Sequence, residues 1–124
     1  MFYKIYYLVD HPYLGARLWT FNTPGPISYS AAATTAGVFV GSEEHLYALA
    51  PADGSLLWEF TSNETITTAP SATSAVVYFG AGDNLLAVRT SDGTAAWADS
   101  VVADGDISAA PVVSQDGSRL YFGR

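Results

Sequence analysis

The sequence predicts an all-β chain of four-stranded antiparallel blades, a β-propeller whose ring is incomplete. Three observations carry this. Trp19, Trp58 and Trp97 stand 39 residues apart. Strand-forming residues are plentiful, with 8 Tyr, 6 Phe and 3 Trp, and 11 Gly and 6 Pro break them into short runs. No stretch sustains a 3.6-residue apolar period, so helices are not expected. Four strands in about 40 residues is the size of one propeller blade.

The elements follow in chain order. The opening Met1-Phe2-Tyr3-Lys4-Ile5-Tyr6-Tyr7-Leu8-Val9 reads as a strand. It is too short and too rich in tyrosine for an export signal, Asp10-His11-Pro12 stops it, and no small-residue cleavage site follows. Residues 1–23 are expected to be a half blade. Residues 24–61 form a blade with strands at 29–34, 38–42, 45–50 and 56–61. Residues 62–100 form the next, with strands at 68–73, 76–80, 84–89 and 95–100, and residues 101–124 form a second half blade.

Landmarks keep the 39-residue offset. Gly15, Gly54 and Gly93 each precede a tryptophan by four residues. Leu46-Tyr47-Ala48-Leu49 recurs as Leu85-Leu86-Ala87-Val88, and in the first repeat as Tyr7-Leu8-Val9-Asp10. Ile27 and Ile66 lie eight residues after their tryptophan, and Ile107 lies ten after. That places a two-residue insertion in Val102-Ala103-Asp104-Gly105. Asp53-Gly54, Asp92-Gly93 and Asp116-Gly117 mark hairpin turns, because glycine takes positive φ without steric cost. The first strand of each repeat is made of small residues, as in Ser30-Ala31-Ala32-Ala33-Thr34 and Thr68-Ala69-Pro70-Ser71-Ala72-Thr73. Blades converge on an axis, so their innermost strand has least room.

Charge and composition narrow the function. Twelve acidic residues against five basic give a net charge of −7, and the basic ones (Lys4, Arg17, Arg89, Arg119, Arg124) are scattered. Nucleic-acid binding needs clustered positive charge, so it is not expected. No apolar run is long enough for a spanning helix, and no membrane insertion is expected. The absence of cysteine excludes disulfides, thiolate metal sites and cysteine nucleophiles. His11 and His45 lack catalytic or metal partners at suitable spacing, and His45, after Glu43-Glu44, is expected to be exposed. Most aspartates adjoin turn glycines. Asp104-Gly105-Asp106 offers fewer oxygens than calcium takes. Asn63-Glu64-Thr65 fits the N-glycosylation pattern in an inter-blade loop. No catalytic, cofactor-binding or metal site is expected.

The run Val38-Phe39-Val40-Gly41-Ser42, Leu46-Tyr47-Ala48-Leu49-Ala50, Asp53-Gly54 and Trp58-Glu59-Phe60, with Thr68-Ala69-Pro70 opening the next blade, resembles the pyrroloquinoline-quinone (PQQ) type of repeat. Val77-Tyr78-Phe79-Gly80, Leu85-Leu86-Ala87-Val88, Asp92-Gly93 and Trp97 form a looser copy, with Asp99 where the second aromatic belongs. The resemblance implies that Trp19, Trp58 and Trp97 pack between neighbouring blades. It implies a non-catalytic scaffold or protein-binding module, as in members that assist outer-membrane assembly, and an exported location. The alternative is a piece of a PQQ-dependent alcohol or sugar dehydrogenase, and only then would PQQ and calcium be cofactors. A closed ring takes about 4–8 blades. At ~3.2 repeats, the chain is expected to be a piece of a longer protein, or to close a ring by self-association.

Overall fold

The computed structural model describes residues 3–8, 17–98 and 100–123. They form twelve antiparallel strands, with no helix among the described residues. β1 (Tyr3–Leu8) pairs with β2 (Arg17–Thr23). β3 (Ala32–Thr34), β4 (Gly37–Ser42), β5 (His45–Leu49) and β6 (Leu56–Thr61) make a four-stranded sheet in chain order. β7 (Ser71–Ala72), β8 (Val76–Ala81), β9 (Asn84–Arg89) and β10 (Val101–Val102) make a second. β11 (Val112–Val113) and β12 (Leu120–Tyr121) form a last hairpin.

Strand alternation explains two cores. On β4 and β5 the odd and even side chains point to opposite faces, and both faces are buried. Phe39, Leu46 and Ala48 join Trp58, Val77, Phe79 and Val88 on the side of the following sheet. Val40, Tyr47 and Leu49 join Trp19 and Phe21 on the side of β1 and β2. A middle blade is thus apolar on both faces, and each fully buried Phe or Leu contributes about 1.5–3 kcal/mol. Of the first strands, β7 lies beside both β3 and β11. Ala32, Ala33, Ser71 and Ala72 fit there because they leave room at the axis.

Three expectations need correction. In β1, Tyr6 pairs with Thr20 and Leu8 with Arg17, as Tyr47 pairs with Glu59 and Leu49 with Leu56. Ile5-Tyr6-Tyr7-Leu8, not Tyr7-Leu8-Val9-Asp10, therefore occupies the place of Leu46-Tyr47-Ala48-Leu49. A two-residue slip keeps every side chain on its face, so the apolar pattern could not decide it. The insertion is also displaced. Val88 bridges Ala95, matching Leu49 with Leu56, but Leu85 meets Val101 where Leu46 meets Phe60. The two extra residues therefore lie between Ala95 and Val101, not in Val102–Gly105. Finally, no continuous strand fills 95–100. Bends follow Ala95, and the β-branched pair Val101-Val102 resumes the ladder beyond residue 100. The end hairpins β1–β2 and β11–β12 stay separate sheets, and the ring is open.

Candidate functional site

The blade junctions are built by reciprocal use of glycine. The Trp58 ring lies on the Gly93 turn of the next blade, and its indole N–H donates to Thr90 O at 2.8 Å. Trp19 repeats this on Gly54, donating to Pro51 O at 2.9 Å. A Cβ on either glycine would sit 2.4–2.5 Å from the ring. Both tryptophans are only 9% exposed. Trp97 is half-buried, with its ring 5.8 Å from Tyr78, much as Trp58 lies 5.9 Å from Phe39. In the opposite direction, Ile66 covers Gly41 and Ile107 covers Gly80, where a Cβ would come within 3.2 Å and 2.9 Å of the isoleucine. Ile66 N–H donates to Glu43 O and Ile107 N–H to Gly82 O, both at 2.7 Å. The V-x-V-G glycine and the isoleucine after each tryptophan were visible in the sequence, but their contact was not.

The aspartates at the hairpin tips are occupied by their own turns. Asp53 Oδ1 accepts from Ser55 N–H at 3.0 Å and from its hydroxyl at 2.7 Å. Asp92 receives the same pair from Thr94. Asp116 accepts from the Ser114 hydroxyl at 2.7 Å and from both groups of Ser118. These bonds favour the charged form, so all three carboxyls lie below their ordinary range, Asp116 at about 2. Gly54, Gly93 and Gly117 hold φ of 73°, 74° and 77° at these tips. Gly15, with Asp10 and His11, falls outside the described residues.

His45 is not exposed as expected. It is 27% accessible, because β6 runs beside it. Its Nδ1 lies 2.9 Å from Glu59 Oε2 and 3.1 Å from Thr61 Oγ1, and its Nε2 lies 3.6 Å from Glu44 Oε1. Glu43 turns elsewhere, against Gly25, with φ of 54°. The Glu43-Glu44-His45 trio therefore does not converge. Tyr47 sits below this group, and burial, then the charges of Glu59, Glu43 and Glu44, raise its hydroxyl above the ordinary value.

A cleft of about 600 Å³ opens between the β7–β8 and β11–β12 hairpins and is lined by Ala72, Val76, Tyr78, Val113 and Asp116 among others. Smaller hollows of about 150–160 Å³ lie at Asn63, Glu64 and Asn84, and at Tyr29, Glu43 and Thr67. Asn63, Glu64 and Thr65 are exposed. Among the described residues no three His, Asp or Glu side chains form a group that could hold a metal ion, Glu44 and Glu59 lying on different nitrogens of His45, and the tip aspartates stand on separate hairpins.

The exposed apolar surface gathers on edges and at the open end. Leu56 and Leu57 stand on β6, Val101 and Val102 on β10, and Val112, Tyr121 and Phe122 on or beside the last hairpin. Such surface suits contact with protein.

The family model described as outer membrane protein assembly factor BamB matches residues 8–124. The crystal structure of BamB from Moraxella catarrhalis matches with a TM-score of 0.76 at 16% identity, over 90% of this chain and 34% of that one. The chain thus spans about a third of that protein's length. No curated protein matches the chain. The four-stranded sheets, their 39-residue period and a family match reaching from residue 8 to the last residue lead to one assignment: the chain belongs to the BamB family of PQQ-like β-propeller proteins.

Proposed function

We propose that these blades form part of an exported, non-catalytic propeller scaffold that binds protein partners during outer-membrane protein assembly. The family match over residues 8–124 carries the reading. The geometry agrees with it: tryptophans and glycines are spent on blade docking, and three aspartates on turns, which leaves edges and open faces for partners. In this role the chain uses neither PQQ nor calcium, and Trp19, Trp58 and Trp97 dock blades rather than touch ligand.

Photo-crosslinking in a Gram-negative cell tests this. A photoreactive phenylalanine at Leu57 or Tyr121 is expected to form adducts with outer-membrane assembly proteins. Adducts with none of them would defeat the proposal. Reduction of a dye by alcohol or sugar, dependent on added PQQ and calcium and abolished by one Asp substitution, would favour the dehydrogenase instead.

A further inference from the structure

We propose that β12 of one copy of this chain pairs with β1 of a second copy, so that two half blades make one four-stranded sheet and two copies close a ring of six blades. The partner is another molecule of this chain, and the inference is independent of the protein-binding reading above.

The half blades are complementary. β1 and β2 stand for the third and fourth strands of a blade: their ladder shifts register between Tyr7 and Leu8, where that of β5 and β6 shifts between Ala48 and Leu49. β11 and β12 stand for the first and second. Val113 pairs with Leu120 and Val112 with Tyr121, as Ala72 pairs with Val77 and Ser71 with Tyr78. Leu120-Tyr121-Phe122-Gly123 repeats Val77-Tyr78-Phe79-Gly80. In both complete sheets the second strand pairs with the third, with Phe39 opposite Ala48 and Tyr78 opposite Ala87. Among the described residues no strand lies beyond β12 or on the free side of β1.

Burial and hydrogen bonding mark both halves as unfinished. Phe122 is 41% exposed, whereas Val40 and Phe79, at the same place in complete blades, are fully buried. Ile5 is half-buried, whereas its counterparts Leu46 and Leu85 are buried. Trp19 and Trp58 each donate to a carbonyl just beyond the third strand of the next blade, Pro51 O and Thr90 O. No acceptor meets the Trp97 indole N–H among the described residues, and the next sheet has only two strands here. Antiparallel pairing across this edge covers the apolar side chains and uses the free backbone groups together. Made twice about a two-fold axis, the contact closes on itself. Six blades lie within the range of about 4–8 for closed rings, whereas one chain folded onto its own β1 makes fewer.

Repeat equivalence fixes the register: Tyr121 meets Tyr7 of the second copy, as Tyr78 meets Ala87. Thr90 N–H donates to Ala75 O, so by alternation Tyr78 and Ala87 are a non-hydrogen-bonded pair. The Cα atoms of such a pair lie about 4.5 Å apart, within reach of a disulfide. The chain has no cysteine of its own. Tyr121→Cys and Tyr7→Cys chains, refolded together and oxidised, are expected to link about tenfold or more better than Tyr121→Cys with Tyr6→Cys, one residue out of register. A chain carrying both Tyr7→Cys and Tyr121→Cys should give covalent dimers. The unmodified chain should sediment at twice 13.1 kDa. Equal linking at residues 6 and 7, an internal disulfide in a monomer of the double variant, or sedimentation of the unmodified chain as a monomer or as large aggregates would overturn the inference. Such a failure alongside retained crosslinks from Leu57 to assembly proteins would leave the protein-binding reading standing.

Discussion

At the residue scale, the turn glycines meet two demands at once. Gly93 holds φ of 74° and has no room for a Cβ beneath Trp58. Left-handed backbone costs an L-residue roughly 1–2 kcal/mol, and overpacking adds about 1–3 kcal/mol. Gly93→Ala should therefore lose about 2–5 kcal/mol in urea denaturation of a soluble form that contains these blades. Gly117 has φ of 77° but nothing within 4 Å of its would-be Cβ. Gly117→Ala should lose only about 1–2 kcal/mol, and equal losses would remove Trp58 from the explanation. Asp116 offers a second test. Its folded carboxyl lies at about 2, below an unfolded value near 3.9. Its bonds therefore favour the fold above about pH 3.9 and are lost as pH falls through about 2. A carboxyl-carbon NMR titration should place its midpoint near 2, and Ser114→Ala should move that midpoint up.

At the element scale, the connections between blades use an interchangeable pair. Gly25 lies against Glu43 of the β4–β5 turn. One repeat later the residues are exchanged, and Glu64 lies against Gly82 of the β8–β9 turn. Both turn positions have positive φ, 54° for Glu43 and 61° for Gly82. Gly82→Glu should destabilise by about 1–2 kcal/mol and set two glutamates together. Adding Glu64→Gly should recover part of that loss, because the exchanged pair already exists at Gly25 and Glu43. A double variant no more stable than Gly82→Glu, in the same denaturation experiment, would refute the coupling. The strands should also differ in mobility. Amide exchange should be slow along the buried β9 and fast at Val101 and Val102, which are exposed and tethered by a two-residue ladder.

At the scale of the whole molecule, the open arc is the dominant feature. Val112 is 61% and Tyr121 57% exposed, and β11–β12 stands as a two-stranded sheet. Exposed apolar surface and unpaired edges favour association, and 14% charged residues oppose it little. The 124-residue chain alone is expected to associate or aggregate in light scattering. A monodisperse 13.1 kDa species with a cooperative thermal transition would refute this. Further repeats joined to the chain should restore a soluble monomer.

The sequence by itself determined the all-β class, the 39-residue period, the Asp-Gly tips and most inner strands. These follow from local causes: alternation, turn chemistry and the recurrence of large aromatics at a fixed spacing. β6 and β9 fall where their residues place them, at Leu56–Thr61 and Asn84–Arg89. Only the tertiary structure decided which glycine each tryptophan covers, since Trp58 and Gly93 belong to different blades. It also decided the register of β1, the position of the two extra residues before Val101, and the joining of His45 to Glu59 across two strands. A strand's pattern repeats every two residues, so slips and insertions of two leave it unchanged. Backbone pairing with a neighbour is what separates the alternatives.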